Sequence, residues 1–183
     1  MTKKNGKKNI FFSIIDWINE IVGRICFIFL VVAGIILVYE VLVRYIFRIP
    51  TIWEIESSIY LIMFVTLVGA GYGLKHGSHI NIELVIRLLP PKVRHRLLIA
   101  GSILSLIFVI VVAWKGLIMW WDAYRLGWRS GTLWNPPLAI PYAFIPLGMI
   151  LLALQYIVYI AELILKKPEE VVKELPPEAK AAY

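Results

Sequence analysis

Residues 138–161 read LAIPYAFIPLGMILLALQYIVYIA, a stretch with no Asp, Glu, Lys or Arg. A helix rises about 1.5 Å per residue, so a run of this length covers the roughly 30 Å hydrocarbon layer of a bilayer. Three further blocks read the same way: 25–43 holds one charge, Glu40; 52–74 carries Glu54 and Glu56 at its start; 97–121 holds only Lys115. Across the 183 residues, 60% are hydrophobic and 17% charged, with a mean hydropathy of +0.79. This excludes a soluble globular domain. A lone strand cannot satisfy its amides in lipid, and the ten-residue alternation of an outer-membrane barrel is missing, so the spans must be helices. The sequence therefore specifies an all-α integral membrane protein with four transmembrane helices.

The net charge of +7 could suggest nucleic acid, but the basic residues lie between the apolar blocks, where bilayer orientation accounts for them. With a cytoplasmic N-terminus, the inside segments hold Lys3, Lys4, Lys7, Lys8 and Arg24, then Lys75, Arg87, Lys92, Arg94 and Arg96, then Lys166, Lys167, Lys173 and Lys180. The outside loops hold only Arg44, Arg48, Arg125 and Arg129. Both termini are thus expected in the cytoplasm. Trp53, Trp120, Trp121, Trp128 and Trp134 all fall at the opposite boundary, where indole rings favour the headgroup layer. No small-residue cleavage site follows Val43, so the first block reads as an uncleaved span rather than a secretory signal.

The flanks divide the chain further. Residues 1–9 form a basic tail, and 168–183, rich in Pro, Glu, Lys and Ala, is too polar to pack and reads as a disordered tail around the 10–167 membrane domain. Within 10–24, Ile10, Phe11, Ile14, Ile15, Ile18, Ile21 and Val22 recur at helical spacing, with Ser13, Asp16, Asn19 and Glu20 on the other face. That predicts an amphipathic helix in the cytoplasmic interface. A second such segment is expected over 78–90, ended by Pro90-Pro91.

Polar groups at membrane depth are costly, which makes them the place to look for chemistry. Glu40, Glu54, Glu56 and Lys115 all fall near the outer boundary. Glu40 and Arg44 share a helical face at i,i+4, and Lys115 can extend toward Glu54 or Glu56. Two roles fit these residues: ion pairs that set helix packing, or contacts with a partner subunit. A proton or ion relay is a third. His76, His79 and His95 lie outside the spans, without the spacing of a metal or haem site, and the chain lacks a nucleophile–base pairing, a glycine-rich phosphate loop and HExxH. No catalytic residue, metal or cofactor is expected. Cys26, the single cysteine, can form no internal disulfide. Small residues at Gly69 and Gly73, and at Gly101 and Ser105, offer close helix approach within the chain or to another subunit. Pro146 should bend the fourth span.

Arg44-Tyr45 with Phe47, Pro50, Trp53 with Glu56, Gly69-Ala70, Leu74-Lys75 with Gly77, His79-Ile80 with Glu83, and Leu89-Pro90 follow one another in a recognisable order. Trp114 with Gly116, then Pro137, Pro141, Tyr142, Pro146 and Gly148, continue it. From about Ile21 to Leu165 the chain resembles the DctQ-type small membrane subunit of tripartite ATP-independent periplasmic (TRAP) transporters. It departs in having Glu83 where the family usually has Asp, and in opening the second span Trp-Glu-Ile-Glu, so that only Glu56 aligns with the common glutamate.

The resemblance implies a bacterial inner-membrane protein that scaffolds a large multi-span DctM-type subunit. It also implies a periplasmic DctP-type binding protein that delivers an organic acid, with uptake driven by a cation gradient, sodium in particular. On that reading Arg44, Arg48, Glu54, Glu56 and Lys115 are the candidates for subunit contact. The residues alone leave open a free-standing four-helix exporter, which would want an acidic group near midspan, and a redox-complex anchor, which would want haem ligands.

Overall fold

Apolar blocks joined by short polar links resolve in lipid into antiparallel helices, each closing its own amide hydrogen bonds. The computed structural model describes residues 10–76 and 90–165. Helix α1 (Ile10–Leu42) runs into a π-helical turn (Val43–Phe47). α2 (Glu54–Val68) and α3 (Ala70–Lys75) are nearly one rod, interrupted at Gly69. α4 (Pro91–Arg125) and α5 (Ala139–Leu165) complete the bundle. Among the described residues all regular elements are helical, apart from an isolated bridge between Arg129 and Pro137. Four segments are long and apolar enough to cross a membrane: Phe12–Phe47, Glu54–Lys75, Val93–Arg125 and Ala139–Leu165.

The first crossing segment differs from expectation. Residues 10–24 are not a separate surface helix; they are the opening turns of α1, with no break before the span. Gly23 shows why. The ring of Tyr72 occupies the space a side chain would fill there, so this glycine is a packing contact between α1 and α3. A single helical glycine costs about 1 kcal/mol, too little to end a long apolar helix. α1 and α4, of 33 and 35 residues, are each about 50 Å long, so they cross a 30 Å layer at a tilt or carry their ends past its boundary. The second expected amphipathic segment, 78–90, lies outside the described residues except at Pro90, as do both tails.

α5 is the centre of the arrangement. α2 and α3 pack on one side of it and α4 on another, while α1 lies mainly against α2. The apolar window of α5 is 39% buried, against 11% for those of α1 and α4. The face of α5 left open, at Ile140, Leu147, Ile150, Ile157 and Ile164, is apolar, as a lipid-facing stripe requires. Gly148 presses its Cα against the backbone of Leu67 in α2, and Gly116 of α4 receives Ile145 of α5. At mid-depth the ring of Phe64 in α2 lies 4.8 Å from that of Phe29 in α1 and 5.2 Å from that of Phe144 in α5. Toward the termini, Leu74, Val109, Leu152 and Tyr156 form a small apolar core. Pro141 and Pro146 are buried, and the helix runs on through Pro146.

Candidate functional site

The polar side chains gather at the two ends of the bundle. At the tryptophan end, α1 leaves its helix through the π-turn, and Arg48 adopts a left-handed conformation (φ 54°) that turns the chain toward α2. Glu40 is buried, 3.6 Å from Arg44 Nη1 and 3.4 Å from the Thr51 hydroxyl that donates to it. The i,i+4 pair read from the sequence is therefore formed. Glu54, also buried, accepts the backbone N–H groups of Ile52 (2.9 Å) and Trp53 (3.0 Å) with one carboxylate oxygen. It closes the turn that starts α2, where a negative charge also suits the helix dipole.

Glu56 differs. One of its carboxylate oxygens is shielded from solvent and has no hydrogen-bond partner among the described residues, as is the Ser58 hydroxyl below it. Arg48 and Lys115 are exposed. Lys115 forms no ion pair with Glu54 or Glu56, because α4 packs on α5, which stands between it and α2. Of the five candidates, the structure thus ties Arg44 to Glu40 and Glu54 to its own turn, and brings Lys115 to neither glutamate.

Aromatic rings finish this end. Trp128 meets Tyr142 edge to face at 6.5 Å, Trp134 lies 6.5 Å from Tyr60, and Trp120 stacks on Tyr124 at 6.1 Å. The link between α4 and α5 is folded tightly: Arg129 donates to the Asn135 carbonyl, and Gly131 donates to the Asn135 side chain. Gly127 and Gly131 have positive φ there. Pro137 pairs with Arg129 in the bridge and precedes α5.

The termini end carries a network that sequence reasoning missed. Asn19 is fully buried and donates to Gln155 Oε1 of α5 (2.8 Å) and to the Ile15 carbonyl (3.2 Å). Gln155 in turn donates to Asp16 at 3.4 Å. A Cβ at Gly71 would come within 2.5 Å of Asn19 Oδ1, so only glycine lets α3 approach that side chain. Beside it, Lys75 Nζ donates to the Asp16 carbonyl (2.9 Å) and to Glu20 (2.8 Å), and His76 Nε2 lies 2.9 Å from the same Glu20 oxygen. α1, α3 and α5 are joined at one level. Asp16, Asn19 and Glu20, expected on the polar face of an interfacial helix, face the other helices instead. The available signal was Gln155, a polar amide in an otherwise apolar span that requires a partner.

The family-motif positions serve mostly in packing. Trp53 sits at the start of α2, Gly69 lies beside Cys26 at the α2–α3 interruption, and Ala70 packs against the apolar core. Pro90 precedes α4 and its carbonyl accepts the amides of Val93 and Arg94. Gly77 and His79 lie outside the described residues. Gly101, half of the small-residue pair in α4, meets no side chain or backbone of another helix among the described residues. No group of three His, Cys, Asp or Glu converges to hold a metal among the described residues.

A four-span helical bundle whose buried polar groups bond helix to helix defines a multi-pass membrane protein. The chain belongs to the DctQ component family of tripartite ATP-independent periplasmic transporters, whose family model matches residues 34–166. It is similar to the C4-dicarboxylate TRAP transporter small permease protein DctQ of Vibrio cholerae: 25% identical over 139 residues, 64% of this chain and 60% of that one. It is 28% identical to the ectoine TRAP transporter small permease protein TeaB of Halomonas elongata over 102 residues, 56% of this chain and 52% of the relative. A third relative is the sialic acid TRAP transporter small permease protein SiaQ of Vibrio cholerae, 30% identical over 74 residues, 40% of this chain and 43% of the relative. The matched region spans about half the length of these relatives. With its four apolar helices, this places the chain in the bacterial inner membrane as a transporter component.

Proposed function

We propose that the chain is the small membrane subunit of a TRAP-type secondary transporter, scaffolding a large DctM-type subunit for cation-driven, sodium-coupled uptake of an organic acid delivered by a DctP-type periplasmic protein. The family match across the bundle carries the reading. Its relatives are named for C4-dicarboxylate, ectoine and sialic acid, which gives the range of solutes to test first. The internal contacts agree with a scaffold: Asn19, Gln155, Lys75 and Glu20 are engaged in holding helices together. Both termini lie in the cytoplasm, by the distribution of lysine and arginine.

Among the candidate contact residues, Glu56, Arg48 and Lys115 are the groups left for a partner, and Arg44 is exposed enough to bridge Glu40 and a neighbour. Glu54 contributes through the turn it closes. The test is uptake of labelled solute by cells expressing all three components. Glu56→Arg or Arg44→Glu should reduce uptake while the chain still inserts and is recovered in normal amount. Wild-type uptake in both variants, or transport by the lone purified chain in liposomes, refutes the reading.

A further inference from the structure

Trp114, Ile118, Trp121 and Arg125 follow one another at i, i+4, i+7 and i+11, which sets them in one row along α4. The row is open to the outside: Trp114 is 64% exposed and Trp121 49%. α4 leans almost wholly on α5, and a groove of about 300 Å³ lies between them, lined by Ala113, Trp114 and Leu117 of α4 and by Ile150, Ala153 and Leu154 of α5. A second hollow of about 290 Å³ continues from Trp114 to Trp121. Both are lined by apolar side chains. From Trp114 to Arg125 is about 16 Å of helical rise, close to one leaflet of a 30 Å hydrocarbon layer. Arg125 stands at the top of the row, exposed, and forms no ion pair among the described residues, Asp122 one turn below included.

We propose that this groove retains one anionic phospholipid, with an acyl chain along Trp114 and Ile118 and the phosphate on Arg125. The dimensions fit a single chain of one leaflet. The charge fits as well, because a guanidinium at headgroup depth pairs with phosphate through two parallel N–H donors. Trp121, between chain and headgroup, occupies the layer indole prefers. Ala113 and Ala153 line the groove from facing helices, and larger residues there would narrow it. The proposal stands on this geometry alone and does not depend on the transporter reading.

Native mass spectrometry of the full chain, released from micelles holding equal phosphatidylglycerol and phosphatidylcholine, tests it. One phosphatidylglycerol should remain bound in preference to phosphatidylcholine. Arg125→Gln should lower that preference about fivefold, the effect of one basic side chain at an anionic surface. Ala113→Phe should lower retention of both lipids, and Arg129→Gln, whose side chain bonds within its own loop, should change neither. Arg125 is exposed, so its variant folds whether or not Ala113→Phe does. Equal retention of the two lipids by the wild type, or unchanged preference in Arg125→Gln, overturns the proposal. So does cross-linking of an Ile118→Cys variant to a neighbouring protein subunit with loss of the lipid.

Discussion

Replacing Asn19 by the nearly isosteric Leu tests whether the termini end is held by its buried amides. Asn19 Nδ2 gives two hydrogen bonds, and the one to Gln155, at 2.8 Å, links residues 136 positions apart. The substitution leaves Gln155 Oε1 buried without that donor, a loss of about 1–3 kcal/mol. Gln155→Leu takes that acceptor from Asn19, which keeps its bond to the Ile15 carbonyl, and also removes the donor to Asp16, so it should cost a similar amount. In the double variant neither amide remains to be orphaned, so it should be more stable than the sum of the single effects predicts. Side-chain hydrogen bonds in membrane bundles couple by about 0.6 kcal/mol on average and up to roughly 1.7. The short distance and full burial place this pair toward the upper part, about 1–1.5 kcal/mol. For a chain of this size 1 kcal/mol corresponds to about 2–4 °C in Tm. Cys26, the single cysteine and buried, supplies the assay: a thiol-reactive fluorophore reports its exposure on heating in detergent. Additivity of the two substitutions within about 0.5 kcal/mol would refute the lock.

Three further perturbations probe other contacts. Gly148→Val drives a side chain into the backbone of Leu67, which cannot rotate away, and should cost at least about 1–3 kcal/mol, whereas Gly101→Val meets open space and should leave the Tm within about 2 °C; the same thiol assay compares them. Lys75→Met removes the donor to Glu20 and to the Asp16 carbonyl, and the melting temperature should fall by several degrees, with Lys75→Arg recovering part of the loss. Glu54→Ala frees the amides of Ile52 and Trp53 and should cost about 1 kcal/mol, read as faster hydrogen exchange confined to residues 50–57.

What could be read from the sequence followed the scale of the signal. Each span is a property of some twenty residues, and its hydropathy survives any single misplacement, so all four emerged. The tryptophans at one boundary were legible for the same reason, since water and lipid sort them before packing does. Which face of a helix meets which neighbour is decided by single residues. Asp16, Asn19 and Glu20 look alike whether they face water or other helices, and only the burial of Asn19 against Gln155 separates the cases. Lys115 illustrates the converse: its depth matched that of Glu54 and Glu56, but the order of helices around α5 is written in contacts such as Gly148 against Leu67, not in spacing.

Those contacts matter more here than in a water-soluble bundle of the same size. Lipid tails are as apolar as leucine, so burying Leu152 or Val109 against a neighbour gains little over leaving it in hydrocarbon. Most of the apolar surface of α1 and α4 faces outward accordingly. Apolar contact then cannot choose among possible pairings of four long helices. The choice falls to interactions that lipid cannot replace, namely glycine contacts that admit a backbone and amide or charged groups that require a partner. Both kinds join α1, α3 and α5 near the termini, at Gly71, Asn19, Gln155, Lys75 and Glu20, while the tryptophan end is tied mainly by rings and by bonds within single turns. A bundle fixed firmly at one end, with Glu56, Arg48 and Lys115 outside any ion pair among the described residues at the other, agrees with the scaffold proposed above.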